Sequence, residues 1–276
     1  MGETRSALIT GCSSGIGLAC AQYLAGRGWR VVASARQTED VERLRAAGHS
    51  AVRLDIADPR SIVTALEEIY ALARGRLDAL VNNAGIAIPG AVEDLSREVL
   101  QRQFDTNLFG TLELTNSVLP LMRRQGHGRI VMVSSILGRV AMPWRGAYNA
   151  SKFALEGITD TLRLELRDSG IHVALVNPGP VRSRFRDNSL VNFDAWVETS
   201  ASPHRETYAR LRAETGAQKD RQPFTVEPEV VARKIAHALE SRRPRARYYV
   251  TLPAYALATA RCLLPVSWLD SLLSRI

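Results

Sequence analysis

The sequence places a tyrosine and a lysine four residues apart, in Tyr148-Asn-Ala-Ser-Lys152, although only three of its 36 basic residues are lysines. Residues at positions i and i+4 share one face of a helix, so a helix would bring the ammonium near the phenol. A phenol can donate a proton to the oxygen of a carbonyl under reduction. An ammonium at about 4 Å contributes about 4 kcal/mol at an effective dielectric near 20, which would lower a phenol pKa from about 10 to about 7. Both residues are therefore candidate catalytic groups, and an ordinary helix surface is the alternative.

The stretch Thr10-Gly11-Cys-Ser-Ser-Gly15-Ile-Gly17 follows the first apolar run of the chain. Glycines in a strand-to-helix turn let the backbone approach a pyrophosphate, and the helix N-terminus supplies N–H donors and the positive end of the helix dipole. The spacing GxxxGxG differs from the usual dinucleotide fingerprint GxGxxG. The stretch predicts a phosphate-binding turn, and purely conformational glycines are the alternative.

Further polar residues stand at the ends of predicted strands, namely Asp55, Asn82-Asn83-Ala84-Gly85 and Ser134-Ser135. Ligands of open parallel sheets bind at these carboxyl ends. Asp55 could accept a hydrogen bond from an adenine amino group, or it could cap the helix that begins near Pro59. A serine hydroxyl at the edge of the sheet can face the tyrosine and the lysine.

Apolar runs alternate with helical patterns along nearly the whole chain, and this order predicts the elements that position these residues. Continuous apolar strands that alternate with helices favour a parallel sheet covered on both faces. Predicted strands cover residues 6–10, 30–35, 50–55, 77–83, 128–135, 171–177 and 247–252. Predicted helices cover residues 16–27, 38–47, 59–73, 97–124, 147–168 and 228–241. The fold class is therefore α/β, with a single doubly wound, Rossmann-type domain over residues 1–252 and a parallel seven-stranded sheet.

Two segments depart from this alternation. Residues 183–226 are polar with isolated apolar side chains, which is typical of a lid or a binding loop; a surface excursion with its own small core is the alternative. Residues 253–276 form an apolar C-terminal extension, which Arg261 and Pro265 interrupt before a span of about 20 apolar residues is reached. We expect the extension to pack in the core or in an interface, with shallow membrane contact as the alternative.

Composition narrows the classes of function. The formal charge of +8 comes mostly from dispersed arginines mixed with acids, and aromatic residues are sparse, so we do not expect nucleic-acid binding. Cys12, Cys20 and Cys262 form neither a CxxC pair nor a Cys/His cluster, so we expect no metal site. Reduced thiols and the lack of an apolar signal stretch predict a cytoplasmic protein.

Taken in order, these motifs resemble those of the short-chain dehydrogenase/reductase family. The matching positions are Thr10-Gly11-xxx-Gly15-x-Gly17, Asp55, Asn82-Asn83-Ala84-Gly85, Asn107, Ser135, Tyr148-xxx-Lys152 and Pro178-Gly179. The resemblance implies an oxidoreductase that interconverts a carbonyl and an alcohol by hydride transfer with a nicotinamide cofactor. It implies Tyr148 as general acid/base and Ser135 as the residue that holds the substrate oxygen. It also implies that Lys152 binds the nicotinamide ribose and that Asn107 anchors a water molecule. A homodimer or homotetramer would form through the helices over 97–124 and 147–168.

The resemblance further implies the residues that contact the cofactor. They are Gly11, Ser13, Ser14, Gly15, Ile16, Gly17, Arg36, Asp55, Ile56, Asn82, Ala84, Gly85, Tyr148, Lys152, Pro178, Gly179, Val181 and Ser183. Arg36 follows the second predicted strand, where NAD enzymes of this fold usually carry an acid. Its guanidinium suits a 2′-phosphate through two parallel charge-assisted bonds, and Ser13 could add a third. We therefore expect NADP(H) rather than NAD(H), with a solvated Arg36 as the alternative.

The substrate is expected to be apolar and fairly large, for example a steroid, a retinoid or a keto-ester. The strip Ala141-Met142-Pro143-Trp144 and the aromatic residues of the 183–226 segment could line an apolar pocket. Met142, Trp144 and Phe185 are the candidate substrate contacts. A catalytically silent NADP(H)-sensing protein on the same fold is the alternative, although such proteins typically lose the tyrosine or the lysine that this chain keeps.

Overall fold

Seven parallel strands form one sheet in the computed structural model, which describes residues 4–217 and 224–274. The strands are β1 (Ser6–Ile9), β2 (Arg30–Ala35), β3 (Ser50–Arg53), β4 (Ala79–Asn82), β5 (Gly128–Val133), β6 (Ile171–Asn177) and β7 (Arg247–Tyr249). Their order is β3-β2-β1-β4-β5-β6-β7. This topology confirms the predicted doubly wound sheet. Because the strand order reverses between β1 and β4, ligands are expected beyond the carboxyl ends of these two strands.

Helices cover both faces of the sheet. They are α1 (Gly15–Ala25), α2 (Thr38–Ala46), α3 (Pro59–Leu72), α4 (Arg97–Phe104), α5 (Gly110–Gln125), α6 (Gly146–Glu165), α7 (Phe185–Trp196), α8 (Arg205–Ala217), α9 (Pro228–Glu240), α10 (Leu252–Leu263) and α11 (Val266–Leu273). Helices α1, α2 and α9 pack on one face, and α3, α5 and α6 pack on the other. The neighbours Leu8 and Ile9 belong to opposite core layers, which explains why the strands are apolar at consecutive positions.

The helical region predicted over 97–124 is confirmed, although it is not α-helical throughout. A π-helix at Asp105–Phe109 separates α4 from α5. Asn107 lies within this π-helix and uses its side-chain amide to bind the backbone of Ile86 rather than to face solvent. Gly110 follows so close to the Ile56 carbonyl that a Cβ there would lie 1.6 Å from the oxygen. The local widening of the helix therefore presents Asn107 to the carboxyl end of β4.

The 183–226 segment contributes α7 and α8, and residues 218–223 lie outside the described part of the chain. Phe193 and Tyr208 of these helices pack with their ring centroids 5.1 Å apart, in a cluster that includes Ile88 and Val99. The described part of the segment thus shares a small apolar cluster with the body of the protein, so the core of its own that was the alternative to a lid is not what the structure has. Its role as a lid remains a prediction.

The C-terminal extension forms α10 and α11. Strand β7 ends earlier than predicted, because Thr251 caps α10 by accepting a hydrogen bond from the N–H of Ala254 at 3.3 Å. Both helices pack on the short 3₁₀-helix Ile136–Gly138 that follows β5. Among the described residues, no helix has both the length and the hydropathy that a membrane span requires.

Candidate active site

The turn between β1 and α1 has room only for glycine at three positions. Gly11 and Gly15 have φ values of +73° and +58°, a conformation that strains other residues. A Cβ at Gly17 would lie 2.2 Å from the carbonyl oxygen of Gly11. Ser14 is the N-cap residue of α1, but its side chain accepts no capping hydrogen bond. A pyrophosphate fits this turn, since it needs close backbone approach and N–H donors at a helix N-terminus.

Asn83 joins the end of β4 to this glycine turn. Its side-chain nitrogen donates to the carbonyl oxygens of Thr10 at 2.9 Å and of Gly11 at 3.2 Å. The Thr10 hydroxyl in turn accepts hydrogen bonds from the backbone N–H groups of Asn83 and Ala84, each at 2.9 Å. Asn83 was not among the predicted site residues, although it lies in the motif that drew attention to this strand end.

Asn82, which was predicted to contact the cofactor, has a buried side chain on the other side of β4. Its nitrogen donates to the Thr115 hydroxyl at 2.8 Å and to the Met132 sulfur at 3.2 Å. Its side chain therefore joins β4 to α5 and β5 rather than to the glycine turn. Gly85, three residues later, lies against the catalytic candidates, because a Cβ there would be 3.2 Å from Asn107 Oδ1 and 3.8 Å from Lys152 Nζ.

Arg36 and Asp55 line one cleft of about 350 Å³ beyond the ends of β2 and β3. The other lining residues are Ala57, Ile86, Glu98, Gln101, Arg102, Asp105, Thr106, Asn192 and Trp196. Asp55 accepts a hydrogen bond from the N–H of Ala57 at 3.0 Å, but the residue that caps α3 is Asp58. The helix-cap alternative for Asp55 is therefore wrong. The cleft has the size and the polar groups that an adenosine moiety requires.

Two arginines that the sequence did not single out bind the glycine turn. The carbonyl oxygen of Ser13 accepts hydrogen bonds from Arg43 of α2 at 2.8 Å and from Arg184 at 3.1 Å. Arg43 also pairs with Asp40 at 2.6 Å. Both guanidinium groups add positive charge beside the turn. In the sequence, only its place on the short helix after Arg36 could have indicated that Arg43 lies near the glycine turn.

Tyr148 and Lys152 lie one turn apart on α6, with the Lys152 ammonium 5.8 Å from the centroid of the tyrosine ring. The ammonium donates to the carbonyl oxygen of Val133 at 2.9 Å, at the end of β5. Asn107 donates to the carbonyl oxygen of Ile86 and to the hydroxyl of Ser151, both at 3.0 Å. The structure thus brings Ser135, which follows β5, together with Tyr148 and Lys152 of α6 and Asn107 of the π-helix at the same end of the sheet.

Burial dominates the proton affinities of this pair. It raises the pKa of Tyr148 to about 12, while a hydrogen bond from Ser135 and the charge of Arg145 act in the opposite direction. Burial lowers the pKa of Lys152 to about 8, and the charge of Glu156 opposes this effect. The structure therefore differs from the expectation that Lys152 lowers the pKa of Tyr148. The reason is that withdrawing a phenolate from water costs more than these neighbours contribute.

Pro178 and Gly179 follow β6 and lie close to the end of β5. The carbonyl oxygen of Pro178 accepts a hydrogen bond from the N–H of Ile136 at 2.9 Å. A Cβ at Gly179 would lie 2.1 Å from the Thr251 hydroxyl oxygen, so only glycine fits. Both residues are thus fixed beside Ser135, where the resemblance places the wall of a nicotinamide site.

Val181 and Ser183 continue this chain segment towards the glycine turn. Val181 forms a parallel bridge with Val226, and a Cβ at Gly15 would be 2.9 Å from Ser183 Cβ. Ile16 is partly buried against the core layer of α1, whereas the Ile56 side chain is fully within the opposite layer. The side chain of Ile56 therefore serves the core, and only its backbone remains near the cleft.

The three candidate substrate residues occupy different surroundings. The Phe185 ring lies 5.7 Å from the Tyr148 ring, and Met142 packs with Tyr148 against α10 and α11. Trp144 instead packs edge-on against Tyr208, with the ring centroids 6.1 Å apart. It thereby attaches the 183–226 segment to the body of the protein, whereas Phe185 and Met142 lie beside the catalytic candidate.

A family model and two relatives of known sequence match most of the chain. A family model described as "short chain dehydrogenase" matches residues 5–192. The chain is 42% identical over 270 residues to the uncharacterized oxidoreductase YbbO of Escherichia coli K12, covering 98% of this chain and 94% of YbbO. It is 34% identical over 267 residues to human retinol dehydrogenase 8, covering 93% and 85% of the two chains.

Solved structures show the same architecture. A short-chain dehydrogenase from Streptomyces avermitilis has a TM-score of 0.80 at 30% identity, covering 99% of this chain and 94% of that one. A Burkholderia phymatum short-chain dehydrogenase/reductase in complex with NAD has a TM-score of 0.78 at 28% identity, with coverage of 94% and 92%. A point variant of actinorhodin polyketide ketoreductase with NADPH has a TM-score of 0.72 at 30% identity, with coverage of 90% and 95%. These matches confirm the resemblance, and the chain belongs to the short-chain dehydrogenase/reductase family of oxidoreductases.

Proposed function

We propose that the chain is an NADP(H)-dependent oxidoreductase that interconverts a carbonyl and an alcohol on an apolar, fairly large substrate, with Tyr148 as general acid/base. The observation that carries the proposal is the position of the Tyr148 phenol. It is hydrogen-bonded with Ser135 beyond the end of β5, and the Lys152 ammonium lies 5.8 Å from the centroid of its ring. The glycine turn that fits a pyrophosphate lies beyond the carboxyl end of β1, at the same edge of the parallel sheet. A phenol in this arrangement can transfer a proton to the oxygen of a substrate that is being reduced.

Each residue of the group has a separate role in the proposed reduction. A bound nicotinamide cofactor would supply the hydride. Tyr148 donates its proton to the developing alkoxide, and a pKa of about 12 keeps the phenol protonated at neutral pH. Ser135, which hydrogen-bonds the phenol, holds the substrate oxygen in line with it. The Lys152 ammonium stabilises the negative charge that forms.

Arg36 supports NADP(H) as the preferred cofactor. It lines the adenosine-sized cleft next to Asp55, and a charged hydrogen bond to a 2′-phosphate contributes about 1.5–3 kcal/mol. We expect kcat/KM to be about 10- to 100-fold higher with NADPH than with NADH. Arg36→Asp should reverse this preference. Equal or better kcat/KM with NADH in the wild type would contradict the assignment.

The surroundings of Tyr148 support an apolar substrate. Met142 and Leu257 form an apolar cluster with the tyrosine ring, and Phe185 covers it from α7. The relative human retinol dehydrogenase 8 is named for an apolar alcohol. We further propose that the 183–226 segment closes over the substrate as a lid, because Phe185 belongs to it.

The decisive experiment is a screen of NADPH oxidation with retinal, steroid ketones, keto-esters and quinones. We expect turnover with at least one class, and a loss of at least about 100-fold in kcat for Tyr148→Phe, since general acid catalysis contributes about 10²–10⁴-fold. NADPH affinity, measured by fluorescence, should change little. Undiminished turnover in Tyr148→Phe would remove the proposed acid, and tight NADPH binding with no turnover of any substrate would favour a sensing protein.

We also propose a cytoplasmic homodimer or homotetramer. Helices α5 and α6 were expected to form the interface, and Phe153, Ile158 and Leu164 of α6 are exposed apolar side chains. All three cysteines are free, which suits a reducing compartment. Sedimentation of the purified chain tests the assembly: a Leu164→Glu variant should dissociate, and an unchanged sedimentation coefficient would exclude this face.

A further inference from the structure

Glu156 is a buried carboxylate one turn after Lys152 on α6. It is only 4% exposed. Arg247 of β7 binds its Oε2 atom with two nitrogens, at 2.6 Å and 3.1 Å. Arg247 also pairs with Asp160 at 3.1 Å, one further turn along the helix. Burying an ion pair of this kind is seldom the most stable solution, because an apolar pair of similar volume often stabilises a protein as well or better. The presence of Glu156 therefore calls for a role other than stability.

The second oxygen of Glu156 is connected through Asn177 to the backbone of Ser135, the candidate catalytic serine. Asn177, at the end of β6, donates one amide hydrogen to Glu156 Oε1 at 2.6 Å and the other to the carbonyl oxygen of Ser135 at 3.0 Å. The 3₁₀-helix after Ser135 also rests on Glu156 directly. A Cβ at Gly138 would lie 2.9 Å from Glu156 Cγ and 3.0 Å from the Lys152 carbonyl oxygen. Glu156 is thus linked to the backbone of Ser135 through Asn177 and packs against the 3₁₀-helix that follows it.

The charges around Lys152 give Glu156 its electrostatic role. The titratable groups of α6 within one turn of Lys152 on its face are Tyr148 and Glu156, and Arg247 and Asp160 lie beyond the carboxylate. The π-helix and the ends of β4 and β5 present amide, hydroxyl and backbone groups to the ammonium, while Asp105 lines the separate adenosine-sized cleft. Residues at i and i+4 have Cβ atoms about 5–6 Å apart. At an effective dielectric near 20, an unpaired carboxylate at that distance would favour a charged lysine by about 3 kcal/mol, or roughly two pH units, and the positive charge of Arg247 reduces this effect.

We propose that Glu156 is a positioning residue of the reaction: it keeps Lys152 positively charged and, through Asn177, fixes the backbone of Ser135. The claim that Glu156 assists the reaction rests on the proposed function. The claim that it keeps Lys152 charged does not, because it concerns only the titration of the lysine. Arg247 holds the carboxylate in place without neutralising it fully, because the guanidinium is shared with Asp160.

The low lysine content permits a direct test that needs no enzymatic activity. The chain has three lysines, so Lys219→Arg with Lys234→Arg leaves Lys152 as the only one. In protein labelled with ¹³C-lysine, the NMR shift of its Cε carbon then reports the titration of Lys152. Its midpoint is expected near the pKa of about 8. Glu156→Gln should lower the midpoint by about one pH unit or more. Glu165→Gln, at an exposed position on the same helix, is the matched control and should leave the midpoint unchanged.

Kinetics then separate positioning from stability. In the wild type, reductase activity should fall as pH rises through the Lys152 midpoint. In Glu156→Gln this decline should occur at lower pH, and a shift of about one unit would reduce kcat at pH 8 about 5-fold, because the charged fraction of Lys152 falls by that factor. Glu156→Asp keeps the charge, so it should restore the wild-type midpoint even if kcat stays low.

An unchanged midpoint in folded Glu156→Gln would overturn the inference, whether or not any substrate is turned over. If that variant does not fold, Arg247→Gln serves instead and should raise the midpoint, because it removes the cation nearest Glu156. An unchanged midpoint in Arg247→Gln would also overturn the inference. Absence of wild-type turnover with a shifted Glu156→Gln midpoint would instead reject the proposed function and leave the electrostatic role standing.

Discussion

Gly17→Ala is expected to weaken NADPH binding far more than it weakens the fold. The new Cβ would lie 2.2 Å from the Gly11 carbonyl oxygen and 2.6 Å from Asn83 Nδ2, whereas ordinary contacts begin at 3.4 Å. The glycine turn must therefore move by roughly 1 Å. Overpacking of this kind costs about 1–3 kcal/mol, and loss of the Asn83 hydrogen bond to Gly11 adds about 1 kcal/mol.

Most of this cost should appear in cofactor affinity, because the displaced backbone is the surface that meets the pyrophosphate. A loss of about 2–3 kcal/mol corresponds to a Kd for NADPH that is about 30- to 150-fold higher. Fluorescence titration measures the affinity, and urea unfolding without cofactor measures the stability.

Gly157→Ala on α6 is the matched control, because a Cβ there meets nothing within 4 Å. It should stabilise the fold by about 0.5–1 kcal/mol and leave the Kd unchanged. If Gly17→Ala binds NADPH as tightly as the wild type does, the glycine turn is not the phosphate site and the reasoning fails.

Three further outcomes test other parts of the structure. Burial acts to raise the pKa of Asp78, but hydrogen bonds led by the one from Arg76 lower it overall. The ionised carboxylate therefore adds to the free energy of unfolding above about pH 4, and this stabilisation is lost in acid. Asp78→Asn should lower the unfolding free energy by roughly 2 kcal/mol at pH 7 and by much less at pH 3, measured by urea denaturation. A thiol reagent at pH 8 should modify Cys262 alone, because the other two cysteines are buried; mass spectrometry counts the adducts. Tyr208→Phe removes the hydroxyl that accepts from the Ala91 N–H at 2.8 Å, so amide exchange in α7 and α8 should accelerate. Unchanged exchange would show that this contact does not hold the segment.

Asn82 and Asn83 show why part of the site could not be predicted from sequence. Successive side chains of a strand point to opposite faces, so one residue of shift decides which asparagine enters the core and which meets the glycine turn. The two residues are chemically identical, and the chain sequence alone does not fix the last paired position of β4. The structure settles this through the pairing of Val81 with Ile9, which leaves Asn83 opposite Thr10 and Gly11.

The π-helix at Asp105–Phe109 has a similar origin. The apolar spacing over 97–124 predicts a helical region but not the π-helix within it. The parallel sheet could be predicted because its signals are local: glycines, strand-end polar residues and alternating apolar runs. The π-helix depends on contacts from Asn107 to Ile86 and from Gly110 to the Ile56 carbonyl, which join residues more than 20 positions apart. The only local sign was an asparagine in the middle of a predicted helix, where it is a poor helix former.

The proton affinity of Tyr148 is where the sequence-based argument and the structure differ most. From sequence one can count charges, and one lysine was enough to lower a phenol pKa by about three units at a dielectric near 20. Sequence does not reveal how completely the phenol leaves water, and burial instead raises its pKa to about 12. The difference of about two units from the ordinary value, about 3 kcal/mol, favours the protonated form. A tyrosine in this state is a ready proton donor for carbonyl reduction, whereas alcohol oxidation requires additional positive charge beside the phenol before it can accept a proton.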